Sequence, residues 1–283
     1  MDRHRTTDAR RQAQLVFDQL ASEYDRSDVE FFGPIGARLV AHAGVAPRDT
    51  VLDVGCGRGA VLFPAARAVG EGGKVTGIDL SRAMAESVLA EARDKGLRQV
   101  DAVVMEGTEP AFPPESFDVI TGGMSVHMLA DVPGALRAYH RLLRPGGRLG
   151  LSAPVTVDDP APEVFGLRSI ARLCAAHNAG SGIYPYAEAF GGVRQALTDL
   201  RAAGFTEVTA REEPAFVTAD SPESFLRWTW THGMRRLWER VSDRERATAE
   251  NDIKAEARAR SEHTDRIVLR IPVMYIVATR PEA

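Results

Sequence analysis

The chain has 283 residues, with 35 Lys and Arg against 39 Asp and Glu and a formal net charge of -4. Both signs are interspersed, so no overall positive field exists to hold nucleic acid or an anionic membrane, and no apolar run approaches a membrane span. Cys56 and Cys174 lie far apart without a CxxC pair, which argues against a disulfide framework or a zinc site and points to a reduced, cytoplasmic setting.

A chain of this length buries a substantial core as one large α/β domain. After a polar start, Asp8 is a plausible N-cap, and Ala13, Val16, Phe17, Leu20 and Tyr24 share one helical face. A second helix is predicted over Ile35 to Ala43. Thr50 to Val54 is β-branched or apolar apart from Asp53, the composition of a strand buried on both faces of a parallel sheet. Gly55, Gly57 and Gly59 then break it. They open φ values closed to other residues and bring backbone N–H groups toward a ligand at the start of the next helix, Ala60 to Val69. Pro64 requires that helix to bend or to begin its regular bonding late.

Val75 to Asp79 reads as the second strand, and a carboxylate at its end can accept both hydroxyls of a ribose. Ser81 caps a helix running to about Lys95. A third strand, Ala102 to Glu106, leads to Gly107-Thr108-Glu109. The fourth, Asp118 to Thr121, delivers Gly122 to Met128 to the carboxyl edge of the sheet, where open α/β sheets bind ligands. Asp131-Val132-Pro133 starts a helix whose core face is Leu136, Tyr139, His140 and Leu143, so His140 reads as structural. Pro145-Gly146-Gly147 turns into a fifth strand, Arg148 to Ala153.

Glycine spacing separates the nucleoside classes. Dinucleotide folds use G-x-G-x-x-G to bring a pyrophosphate onto a helix N-terminus. This chain has D-x-G-x-G-x-G, with an acid two residues before the first glycine that would repel phosphate and suits an ammonium group. With Pro114-Glu115-Ser116-Phe117-Asp118-Val119-Ile120 and Leu142-Leu143-Arg144-Pro145-Gly146-Gly147-Arg148-Leu149, the stretch to about residue 154 resembles the class I S-adenosylmethionine (SAM) dependent methyltransferases. The resemblance implies an α/β, Rossmann-like, doubly wound sheet of seven strands with the last antiparallel. It also implies SAM as cofactor and S-adenosyl-L-homocysteine (SAH) as product.

Phe17-Asp18 through Tyr24-Asp25 is similar to the F-D-x-x-A-x-x-Y-D stretch of the ubiquinone-biosynthesis-like group, which folds over the cofactor. By that resemblance Tyr24 reaches the methionine end of SAM. The implied cofactor set is Asp53, Gly55, Cys56, Gly57 and Gly59 in the loop, Asp79 at the ribose, Leu80 and Met84 at the adenine, and Gly107, Thr108, Gly123 and Met124 beyond. The family usually places an Asp after the glycine at 107. Here Thr108 and Glu109 are the acceptors on offer.

Beyond residue 154 the motifs fade. Residues 155 to 192 form a long connection with an amphipathic helix around Glu163 to His177, followed by Tyr184, Tyr186 and Phe190. A helix over Val193 to Ala203 precedes strand six, roughly Glu207 to Glu212. A second insertion opens at Ser221-Pro222-Glu223 and carries Phe225, Trp228, Trp230, His232, Met234 and Trp238. Arg235 to Arg260 reads as solvated helix, and Ile267 to Thr279 as the last strand, paired with strand six. The expected division is an N-terminal helical cap over 1–46 and a SAM-binding domain over 47–283, with acceptor lids at about 155–192 and 214–265. Long insertions at a ligand edge are commonly lids, so Tyr184, Tyr186, Phe190, Trp228 and Trp230 are the substrate-binding candidates. A packed core is the alternative for the tryptophans.

SAM carries its own activation, so the protein must align acceptor and methyl and exclude water, and no metal is demanded. An oxygen or ring nitrogen must lose a proton, which makes His127 and His232 candidate bases, with Tyr24 the third catalytic candidate. The expected function is methyl transfer from SAM to a small aromatic or hydrophobic natural-product acceptor, on carbon, nitrogen or oxygen. An RNA or protein methyltransferase would call for a contiguous basic face, and a non-catalytic SAM-binding module would lack aromatic insertions. The partner is thus a small-molecule acceptor, without nucleic acid or membrane, and a homodimer stays open.

Overall fold

In the computed structural model, β1 (Thr50–Val54), β2 (Lys74–Asp79), β3 (Val100–Val104), β4 (Phe117–Gly123), β5 (Leu143–Pro154), β6 (Thr206–Ala219) and β7 (Ile267–Thr279) form one sheet in the order β3-β2-β1-β4-β5-β7-β6. The residues described are 11, 14–25, 27–155, 163–177, 190, 192–261 and 265–282. Strands β1 to β5 pair in parallel, and β7 is antiparallel to both β5 and β6. The doubly wound sheet with an antiparallel last strand is therefore the architecture of the chain. Its last strand is inserted between two others, which leaves β6 at the edge.

Helical residues 14–20 (α1) precede α2 (Phe32–His42), α3 (Leu62–Val69), α4 (Arg82–Asp94), α5 (Val132–Leu142), α6 (Arg168–Ala176) and α7 (Val193–Ala202). The insertion between β6 and β7 holds α8 (Pro222–Thr229), α9 (Arg235–Trp238) and α10 (Asp243–Arg260). Alternation along the central strands divides the core. Val51 and Val119 pack with Leu39, Leu62 and Val88 on one face, while Leu52 and Ile120 pack with Leu136, Tyr139 and Leu200 on the other. No helix among the described residues is long and apolar enough to cross a membrane.

Several expected boundaries shift for identifiable reasons. Helix α3 starts at Leu62, so Pro64 falls in its first turn, where a missing N–H costs nothing. Tyr24 lies in the turn after α1, and its N–H closes the last helical turn on Leu20 O at 2.7 Å. Strand β6 runs past the expected end at Glu212 to Ala219, which pairs with Ile267. Pro214 is tolerated within it because β6 is an edge strand.

Candidate active site

At the end of β1 the chain turns sharply over β2, with Gly55 and Cys56 N–H groups both donating to Ile78 O at 2.8 and 3.0 Å. Gly55 has φ +68, and a Cβ there would lie 2.6 Å from the Ser125 Cβ. Gly57 has φ +49 with open space around it, and its N–H donates to Asp79 Oδ2 at 2.9 Å. The Ser81 N–H donates to Asp79 Oδ1 at 2.8 Å. Two backbone donors therefore fix both carboxylate oxygens while leaving each a further lone pair for a ligand. Burial raises this carboxyl above its ordinary value.

Asp53 sits deeper, 1 % exposed. Its Oδ1 accepts from Thr121 Oγ1 at 2.9 Å, whereas Oδ2 is buried without a hydrogen-bond partner among the described residues. Burial pushes this carboxyl up to about 7, with Thr121 and the nearby Leu62 N–H opposing the rise and the Asp79 charge adding to it. A buried carboxylate oxygen lacking a donor is costly unless a ligand supplies one.

These residues border a cavity of about 250 Å³ at the carboxyl edge of β1, β2 and β4, to whose lining the N-terminal strap contributes Phe17, Tyr24 and Asp25. The strap carrying those three is pinned twice. Asp18 Oδ1 accepts from Ser81 Oγ at 2.5 Å and from Ala83 N at 3.1 Å, at the N-terminus of α4, which suits an anion there. Arg58 of the glycine loop donates to Ala21 O at 2.6 Å and to Glu91 at 3.2 Å. The Tyr24 ring stacks on Phe32 at 5.5 Å and meets the edge of Phe17 at 6.2 Å. Burial raises the Tyr24 phenol above its ordinary value, with smaller contributions from Asp25 and Asp79.

Asp53, Gly55, Cys56, Gly57, Asp79, Leu80, Met84, Gly107, Gly123, Met124 and Tyr24 all line this one cavity. Gly59 does not. A Cβ there would meet Phe63 Cε2 at 2.5 Å, so Gly59 lets α3 approach the loop. Thr108 also faces away, donating through Oγ1 at 2.6 Å and N–H at 2.9 Å to the two oxygens of Glu106. Glu106 is thus the side chain at the cavity, while Glu109 is exposed.

The histidines and aromatics lie elsewhere. His127, in a single 3₁₀ turn over Val126–Met128, is outside the cavity lining, with its ring 6.1 Å from Phe190. Burial pulls its pKa down to about 4. His232 is 1 % exposed and packed against Trp228 at 4.4 Å and Phe165 at 5.2 Å, where burial lowers its pKa to about 3. Trp228 joins Phe31 and Phe225 in the core. Trp230 stacks on Trp238 at 5.7 Å with Arg246 over its ring at 5.4 Å. Large rings bury more apolar surface against one another than in a solvated cleft, so this cluster is core packing and not cavity wall. Phe190 is likewise away from the lining, and Tyr184 and Tyr186 lie outside the described residues. Sequence reasoning overlooked Phe32, Asp25, Arg58, Glu106 and Ser125 as cavity residues. Only the Tyr24-Asp25 pair and the arginine inside the glycine motif gave a hint.

Residues 51–147 match the family model described as a methyltransferase domain. Over 93% of its length the chain is 40% identical to the nocamycin O-methyltransferase of Saccharothrix syringae, covering 96% of that protein. The chain belongs to the class I SAM-dependent small-molecule methyltransferases. It is also 47% identical over 146 residues to the aklanonic acid methyltransferase of Streptomyces sp. (strain C5), spanning 52% of this chain and 66% of that one. In fold, this methyltransferase superposes on a SAM-dependent methyltransferase from Aquifex aeolicus with TM-score 0.52 at 16% identity, covering 87% of this chain and 89% of the other.

Proposed function

We propose that the protein moves the methyl group of SAM onto an oxygen of a small hydrophobic or aromatic acceptor. The observation that carries this reading is one cavity joining a ribose-type acid, Asp79, and a buried acid oxygen without a donor, Asp53 Oδ2, to an aromatic wall of Phe17, Tyr24 and Phe32. SAM supplies an activated methyl on a sulfonium when bound. Asp79 then takes the ribose hydroxyls, Asp53 the ammonium group, and Leu80, Met84 and Met105 flank the adenine. Tyr24, Phe17 and Phe32 exclude water and present π faces suited to a cation.

The choice of oxygen rests on the O-methyltransferase relative that matches nearly the whole chain. Among the described residues, no histidine lines the cavity. The carboxylates that border it, Asp25, Asp53, Asp79 and Glu106, are the side chains among the described residues that could take a proton from an acceptor oxygen. We read residues 1–46 as the cap and about 155–192 and 214–265 as the acceptor lids. The second of these lies behind Phe32, whose ring is 6.4 Å from Trp228.

The test is transfer of labelled methyl from SAM into a bacterial extract supplemented with aromatic metabolites, followed by separation by size and NMR of the labelled product. Label in the small-molecule fraction as a methoxy or methyl ester carbon is expected. Label in RNA or protein would overturn the acceptor class, and a C- or N-methyl product would overturn the choice of oxygen.

A further inference from the structure

Four carboxylates border the cavity, and three are engaged by the protein. Asp79 accepts two backbone N–H groups, Asp53 accepts from Thr121, and Glu106 accepts twice from Thr108. Asp25 is different. Among the described residues nothing donates to its oxygens, and its surroundings act on it through burial and the charge of Glu91. Its backbone is also left-handed at φ +53, a conformation that costs a non-glycine residue energy and tends to persist at working sites. The strap that carries it is fixed by Arg58 on Ala21 O and by Asp18 on Ser81. A desolvated, strained carboxylate is thus held at the cavity with no compensating contact among the described residues.

The ligands of the site differ in the matching property. SAM and SAH share the adenine, ribose, ammonium and carboxylate, and differ by the methyl group on sulfur and the positive charge it confers. Among the described residues the one cationic side chain bordering the cavity, Arg58, directs its guanidinium to Ala21 O and Glu91. We propose that Asp25 discriminates by charge, its carboxylate favouring the sulfonium of SAM over the neutral thioether of SAH. The cavity then retains the reactant and releases the product.

Calorimetric titration of the full chain at pH 8 with SAM and with SAH tests this without any acceptor. Asp25→Asn is the first variant, since asparagine tolerates positive φ better than most residues, and Asp25→Gly the second, since glycine adopts it freely. In both, the Kd for SAM is expected to rise about five- to tenfold while that for SAH changes less than twofold. Asp53→Asn provides the contrast and should weaken both ligands alike, because the ammonium is common to them. Equal weakening of SAM and SAH in the Asp25 variants would place that carboxylate on the ammonium or in the folding of the strap, and unchanged affinities would remove it from the site. Either result overturns the proposal.

Discussion

Helix α2 contains two glycines three residues apart that should respond to alanine with opposite signs. A Cβ at Gly36 would lie 2.1 Å from Ala60 O, 2.5 Å from Ala60 C and 3.0 Å from Val61 N. All three are backbone atoms of the segment that follows the glycine loop, so no side chain can swing aside. Relief requires moving α2 away from the loop by about an ångström, and overpacking of this kind costs about 1–3 kcal/mol. Among the described residues nothing lies within 4 Å of a Cβ built at Gly33, and replacing a helical glycine with alanine there should gain about 0.4–1 kcal/mol. At roughly 2–4 °C per kcal/mol for a chain somewhat shorter than this one, Gly36→Ala should melt several degrees below the parent and Gly33→Ala slightly above it. Ala60 and Val61 also line the cavity, so SAM affinity should fall only in Gly36→Ala. Thermal unfolding by circular dichroism and calorimetric SAM binding provide the readouts. Shifts of the same sign in the two variants, or full SAM affinity in Gly36→Ala, would refute the tight contact between α2 and the loop.

Asp79→Ala should weaken SAM by about 1–3 kcal/mol, because it removes charged acceptors and leaves the Gly57 and Ser81 donors without a partner; unchanged affinity in a binding assay would sink the ribose assignment. Asp53, raised to about 7 by burial, is partly protonated at neutral pH, so SAM affinity should climb as pH rises from about 6.5 to 8, and Asp53→Asn should flatten that slope. His232 is held neutral down to about 3 by burial, well below its unfolded value near 6.5. The unfolded chain therefore gains a proton that the fold refuses, and this contribution to stability, intact above about 6.5, is lost as pH falls toward 3. His232→Phe should accordingly narrow the gap between melting temperatures at pH 7.5 and pH 5, and an equal gap in both proteins would contradict the burial of a neutral ring.

The parts of the site legible in the sequence are those where backbone geometry dictates residue type. Gly55 and Gly57 need left-handed φ, and Asp79 must end a strand, so identity and spacing alone located them. Side chains whose placement depends on a local contact were harder. Thr108 was expected at the cavity but bonds to Glu106 two residues before it, an exchange that short polar side chains make readily and that no pattern announces. The tryptophan-rich insertion shows a different limit. An aromatic cluster has the same composition whether it lines a ligand cleft or fills a core, and only long-range packing against Phe31 and Phe165 shows Trp228 to be core.

That packing still bears on the cavity through one residue. Phe32 opens α2, borders the cavity, stacks on Tyr24, and lies 6.4 Å from both Trp228 and His232. The strap and the insertion thus lean on the same ring. Two aromatic neighbours restrict a phenyl ring to few orientations in a close-packed interior. The insertion can therefore set the shape of the cavity without lining it, by fixing the wall against which Tyr24 rests. A volume change at Trp228 would be felt by Phe32 before it reached Asp79 or Gly57, which are fixed by their own backbone bonds. The aromatic wall at Phe32 and the carboxylate at Asp79 are in this way held by separate elements around the same cavity.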